Sequence, residues 1–152
     1  GAATGPTAMA SYDAALAEAN VHDFNLVTVS SVVPAGAAID VVGTAPDLGP
    51  PGDGLTVVQS RASVGPESAG PAVAGLGWAR SESDGPGIFY EAAGSDATAV
   101  REEIATGLDH GVGLREWDEA ERELLVRETP AALEGHTTQV VCAVYGDSDP
   151  LL

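Results

Sequence analysis

The stretch NLVTVSSVVP, residues 25 to 34, has the Val and Leu content of a buried strand, yet it sets two hydroxyls side by side at Ser30 and Ser31. Adjacent serines can rearrange their own backbone. If Ser31 Oγ attacks the Ser30 carbonyl, the peptide bond becomes an ester. Elimination from that ester leaves dehydroalanine, which hydrolyses to a pyruvoyl group at a new N-terminus, so that the backbone supplies a ketone. The plain alternative is a pair of strand-end hydroxyls. Glu91, in GIFYEAAG, shares a strand face with Phe89 and Ala93, an apolar setting that suits a general acid. Its plainer reading is an edge-strand carboxylate facing water. Asp13 stands four residues from Met9, close to the apolar stripe of a first helix, where a carboxylate can take a guanidinium in a two-pronged, charge-assisted pair. Among 23 acidic residues its plainer reading is a solvated one.

The composition narrows what these groups can serve. Six basic residues against 23 acidic ones give a formal net charge of −17, and all six are Arg. Such a surface neutralises few phosphates, which argues against nucleic acid and anionic membrane surfaces as partners. It reads first as a solvation device for high salt and second as an attractor of cationic substrates. Without Lys there is no Walker A lysine ahead of the first helix, and no Schiff-base lysine to hold pyridoxal phosphate. His22, His110 and His136 lack the spacing of a zinc site, so no metal is expected. Cys142, the single cysteine, lies in the apolar run TTQVVCAVY and reads as a small core residue. One cysteine permits no internal disulfide, which fits a reducing cytoplasm.

The elements that must position these side chains follow from periodicity. Residues 8 to 19 place Met9, Tyr12, Leu16 and Ala19 on one stripe, with Thr7 as N-cap and Asn20 just past the end. A second helix is expected from about Asp96 to Val112, capped by Ser95, with Val100, Ile104 and Leu108 inward. Strands are expected at 24–32, 37–43, 54–63, 71–80, 87–93, 121–128 and 137–145, and the segment 44–54, TAPDLGPPGDG, as an exposed loop. GAATGPT reads as a turn feeding the first helix. The length suits one domain over residues 1–152, and the pattern gives an α+β fold with helices outside packed, mostly antiparallel sheets. By strand alternation Asn25 shares a face with Ser31, but six extended residues span roughly 20 Å. Either the strand bends sharply, or the two meet across a subunit boundary.

Taken in chain order, GPTAMASYDAALAEA, FNLVTVSSVVP, GIFYEAAG, the helix that follows, LREW and the final apolar strand resemble the pyruvoyl-dependent arginine decarboxylases over nearly the whole length. That resemblance implies an αββα sandwich and a homotrimer of cleaved protomers with sites between neighbours. It implies self-cleavage between Ser30 and Ser31 into a small chain (1–30) and a large chain (31–152). Ser31 matches the residue that becomes the pyruvoyl group, Ser30 the new carboxyl end, and Asn25 an asparagine that assists. Glu91 matches the glutamate that protonates the intermediate, and Asp13 the aspartate that pairs with the substrate guanidinium. The implied reaction is decarboxylation of arginine to agmatine, with a covalent pyruvoyl cofactor and neither metal nor pyridoxal phosphate. The residues flanking Glu91 and the 44–54 loop depart from the family pattern. Rival readings are a pyruvoyl enzyme for another amino acid, an uncut non-enzymatic trimeric binder of cationic ligands that keeps Asp13, and a structural or interaction protein indifferent to both serines.

The charge alone yields a first expectation. At about 0.01 M salt the Debye length reaches roughly 30 Å, and 23 carboxylates then repel across the whole surface. The melting temperature should therefore fall steeply as salt is lowered from molar to millimolar, and a salt-independent melting curve would contradict this.

Overall fold

In a computed structural model that describes residues 1–117 and 120–152, the chain forms four layers, helix on sheet on sheet on helix. The first helix, α1 (Ala8–Glu18), starts at Thr7, whose side chain accepts the Ala10 N–H at 3.1 Å. It ends where Asn20 turns left-handed at φ 60°, a conformation Asn tolerates better than most residues. The face it buries is Ser11, Ala15 and Leu16, whereas Met9 is 67% exposed and lies off the inward stripe expected from periodicity. Small Ser and Ala side chains let the helix approach the sheet closely, and Ser11 Oγ meets Thr138 Oγ1 at 2.7 Å.

The sheet beneath α1 has the order β1 (Ala2–Gly5), β8 (His136–Val144), β4 (Gly54–Val64), β2 (Asn25–Thr28). Residues 2–5, expected only as a turn, thus form an edge strand antiparallel to β8. The second sheet has the order β3 (Val32–Val33), β6 (Gly87–Gly94), β5 (Ala72–Arg80), β7 (Glu121–Thr129). On its outer face lies α2 (Ala97–Leu114), capped by Asp96 rather than Ser95; the Asp96 carboxylate accepts the Ala99 N–H at 2.9 Å. An ionised carboxylate is the better partner for the orphan amides of a helix start.

Three cores result. Ala15, Leu16, Val21, Leu55, Val57 and Val140 sit between α1 and its sheet. Val33, Val58, Ala74, Leu76, Trp78 and Phe89 fill the space between the sheets, and Ile104, Leu108 and Val112 pack α2 on the second sheet. Gly75 and Gly77 of β5 leave room for that last contact, since a Cβ on Gly77 would stand 2.4 Å from Ile104 Cγ2.

Two expected strands differ. The single strand 24–32 is two short ones in different sheets: β2 runs parallel to β4, and β3 pairs antiparallel with β6. Residues 29–31 cross between the sheets. Residues 37–43 form no strand; their apolar side chains instead line the mouth of the space between the sheets, a cavity of about 640 Å³. The Arg80 guanidinium donates to the carbonyls of Pro34 and Ala37, so those groups have a partner without a ladder.

Cys142 packs at the edge of the α1 core, and burial pushes its thiol up to about 11. At pH 8 its thiolate population is then roughly a hundredfold below that of an exposed cysteine. Alkylation of the folded protein should be slower than that of the urea-unfolded protein by about this factor; equal rates would show the thiol to be open.

Candidate active site

The change of sheets places the serine pair. Ser31 adopts φ 47°, a left-handed conformation that costs a non-glycine residue roughly 1–2 kcal/mol. Its carbonyl accepts the Phe89 N–H at 2.8 Å, which begins the β3–β6 ladder. Its Oγ donates to Glu91 Oε2 at 3.1 Å. The two groups singled out for chemistry, 60 residues apart in sequence, are thus brought into direct contact. Glu91 is exposed, on the stretch of β6 that extends beyond two-residue β3.

Beside the pair opens a cleft of about 450 Å³, lined by Ser30, Ser31, Tyr90 and Glu91 on one side and by Glu103, His110 and Arg115 of the α2 region on the other. Gly107 of α2 makes this cleft possible. A Cβ there would lie 2.2 Å from Tyr90 Cζ, so only glycine lets the Tyr90 ring rest against the helix.

Asn25 and Asp13 are not brought to this contact. Asn25 begins β2, and its Nδ2 donates to the Gly52 carbonyl at 2.7 Å, as the length of an extended strand required. Asp13 is exposed on α1, which packs on the other sheet from the one that carries Glu91. Beside it, the Arg61 guanidinium stacks 4.2 Å above the Tyr12 ring.

Two hydroxyls escaped the sequence reading. Tyr145 donates its OH to the Val32 carbonyl at 2.9 Å, and burial first, with the nearby Glu91 charge second, raises its pKa. Buried Ser60 donates to the Ala92 carbonyl at 2.6 Å and accepts the Gly75 N–H at 3.2 Å. A tyrosine closing an apolar strand and a serine inside one carry no signal of their own.

The arrangement suits both the making and the use of a ketone at residue 31. The Ser31 hydroxyl has a carboxylate that could take its proton, a cut at the Ser30–Ser31 bond would relax the strained backbone at 31, and the cleft adjoins residue 31. The residues present therefore fit a pyruvoyl group.

Comparison with known proteins agrees. The family model described as pyruvoyl-dependent arginine decarboxylase matches residues 1–150. Two relatives, named pyruvoyl-dependent arginine decarboxylase and found in the R1 and NRC-1 strains of Halobacterium salinarum, are each 48% identical over 155 residues, which covers 99% of this chain and 93% of theirs.

Proposed function

The chain belongs to the pyruvoyl-dependent arginine decarboxylase family, and on that premise we propose that it cuts itself between Ser30 and Ser31 and then converts arginine to agmatine and CO2. The observation that carries this is the contact of Ser31 Oγ with Glu91.

Processing begins when Glu91 draws the proton from Ser31 Oγ as the oxygen adds to the Ser30 carbonyl. Loss of the residue-31 α proton then expels the Ser30 carboxylate, and hydrolysis of the resulting enamine releases ammonia. A pyruvoyl group supplies the electron sink that decarboxylation of an amino acid requires. The protein's own contribution is placement and protons. Glu91, now beside the ketone carbon, holds the proton that the substrate α carbon takes once CO2 has left. On this reading Glu91 serves the cleavage as well as the protonation expected of it, a reading supported by its contact with Ser31 Oγ.

Asn25 and Asp13 enter from a neighbouring chain. Val27, Val29 and Val32, 43%, 37% and 50% exposed, flank the serines and form an apolar surface fit to be covered by a second copy. A homotrimer of cut protomers closes each site in this way and sets Asp13 of one protomer against the guanidinium of arginine held by the next. The product chains are residues 1–30 and 31–152, working in the cytoplasm without metal or pyridoxal phosphate.

Intact-mass analysis tests the reading: the mature protein should give two masses, and Ser31→Ala one. A single mass for the unmodified protein at every age would remove the enzyme. Glu91→Gln keeps the size of the side chain but not its acid, and should lower agmatine formation roughly 10²- to 10⁴-fold. Normal cutting by that variant would confine Glu91 to the decarboxylation step.

Asp13 governs selectivity. Losing a charged hydrogen-bond partner costs about 1.5–3 kcal/mol, so Asp13→Asn should reduce kcat/KM for arginine at least tenfold while leaving the two masses unchanged. Equal arginine turnover would take Asp13 out of the site.

A further inference from the structure

The bonds that locate residue 31 change when the chain is cut. Before scission it is tied covalently to Ser30, through its hydroxyl to Glu91, and through its carbonyl to the Phe89 N–H. Scission removes the first two, because the Ser31 oxygen leaves as part of the Ser30 carboxylate. Among the described residues, what remains upstream of Pro34 besides the packing of Val33 is the Phe89 bond, a two-residue ladder of Val32 with Ile88 and Val33 with Gly87, and the Tyr145 hydroxyl on the Val32 carbonyl. A ladder this short holds a chain end poorly.

The opposite sheet meets this need with two hydroxyls. Each reaches across to the carbonyl that directly follows a reacting residue: Tyr145 to that of Val32, after Ser31, and Ser60 to that of Ala92, after Glu91. The Ser60 contact is buried, and it touches both strands of the Gly75–Ala92 pair, so the Glu91 side is held before and after scission alike. Only the residue-31 side loses its covalent tether. Arg80, the next anchor downstream, acts at Pro34 and Ala37.

We propose that Tyr145 is a positioning residue for the cut enzyme, whose hydroxyl keeps the ketone-bearing chain end in register with Glu91 after the Ser30–Ser31 bond is gone. The inference rests on the pyruvoyl reading. Burial and the Glu91 charge keep the phenol protonated, and so a donor, through the working pH range. Its ring packs edge-on against Phe89 with centroids 6.2 Å apart. Tyr145→Phe therefore deletes the hydrogen bond and keeps the packing.

The experiment compares Tyr145→Phe with the unmodified protein in three measurements: the rate of appearance of the two masses, kcat and KM for arginine once cutting is complete, and the melting temperature. Expected are a cutting rate within twofold of normal, an unchanged melting temperature, KM within twofold, and kcat lowered roughly tenfold, the scale of one lost hydrogen bond that orients a reacting group. Unchanged kcat overturns the proposal. A fall in cutting rate and melting temperature in step with kcat also overturns it, because the hydroxyl would then serve the uncut fold. If the unmodified protein never yields two masses, the pyruvoyl reading itself fails, an outcome visible before any variant is scored.

Discussion

The hydrogen bond from Ser31 to Glu91 exists because the chain leaves one sheet at Thr28 and enters the other at Val32. β2 runs parallel to β4, and parallel neighbours need a long connection to bring the chain back to the same end. Here the connection passes through the second sheet, deposits Val32 and Val33 as an edge strand on β6, and returns over the open mouth between the sheets. The crossing is short. Residues 29–31 must turn the backbone within three positions, and Ser31 takes the left-handed conformation that results. The Ser30–Ser31 bond, proposed as the one that is cut, is therefore the one at which the fold changes layers.

That geometry also sets a long ladder on one side of the contact and a short one on the other. Glu91 belongs to a long strand paired with β5 over eight registered positions. Residue 31 abuts a strand of two. In the proposed function the proton donor thus stands on the long ladder and the new terminus on the short one. The polar contacts across the sheets fall where this asymmetry requires support.

Much of the layering was legible in the sequence. Apolar alternation and the capping residue Thr7 located both helices and most strands, because those signals come from local burial and backbone satisfaction. Two features resisted. Periodicity cannot tell that a continuous apolar run serves two sheets, because alternation looks the same in either, so 24–32 read as one strand. The 37–43 segment is apolar because it covers the mouth of the cavity, a tertiary role that imitates strand composition. At the site, Ser31 and Glu91 carried chemical types that invite a hypothesis, whereas Tyr145 and Ser60 act through carbonyls of the backbone, which have no letter in the sequence. Met9 misled for a simpler reason: buried Ser11 and Ala15 shift the inward face of α1 by part of a turn.

The separation of Asp13 from the Ser31–Glu91 pair bears on how selectivity arises. On an isolated protomer Asp13 is an exposed carboxylate, one of many on a chain of net charge −17, and pairing a solvated carboxylate with a guanidinium contributes at most about 1 kcal/mol. Once a neighbour covers it, as in the proposed trimer, the same pair loses competing water and its hydrogen bonds strengthen toward roughly 1.5–3 kcal/mol. The diffuse acidic surface gathers cations of every kind and cannot choose among them. Choice requires a desolvated carboxylate at a fixed distance from the ketone. The proposed trimer would supply both conditions together, since the contact that carries Asp13 to the site would also cover the exposed valines beside the serines. Substrate discrimination would then be a property of the interface, whereas the Ser31–Glu91 contact lies within one chain.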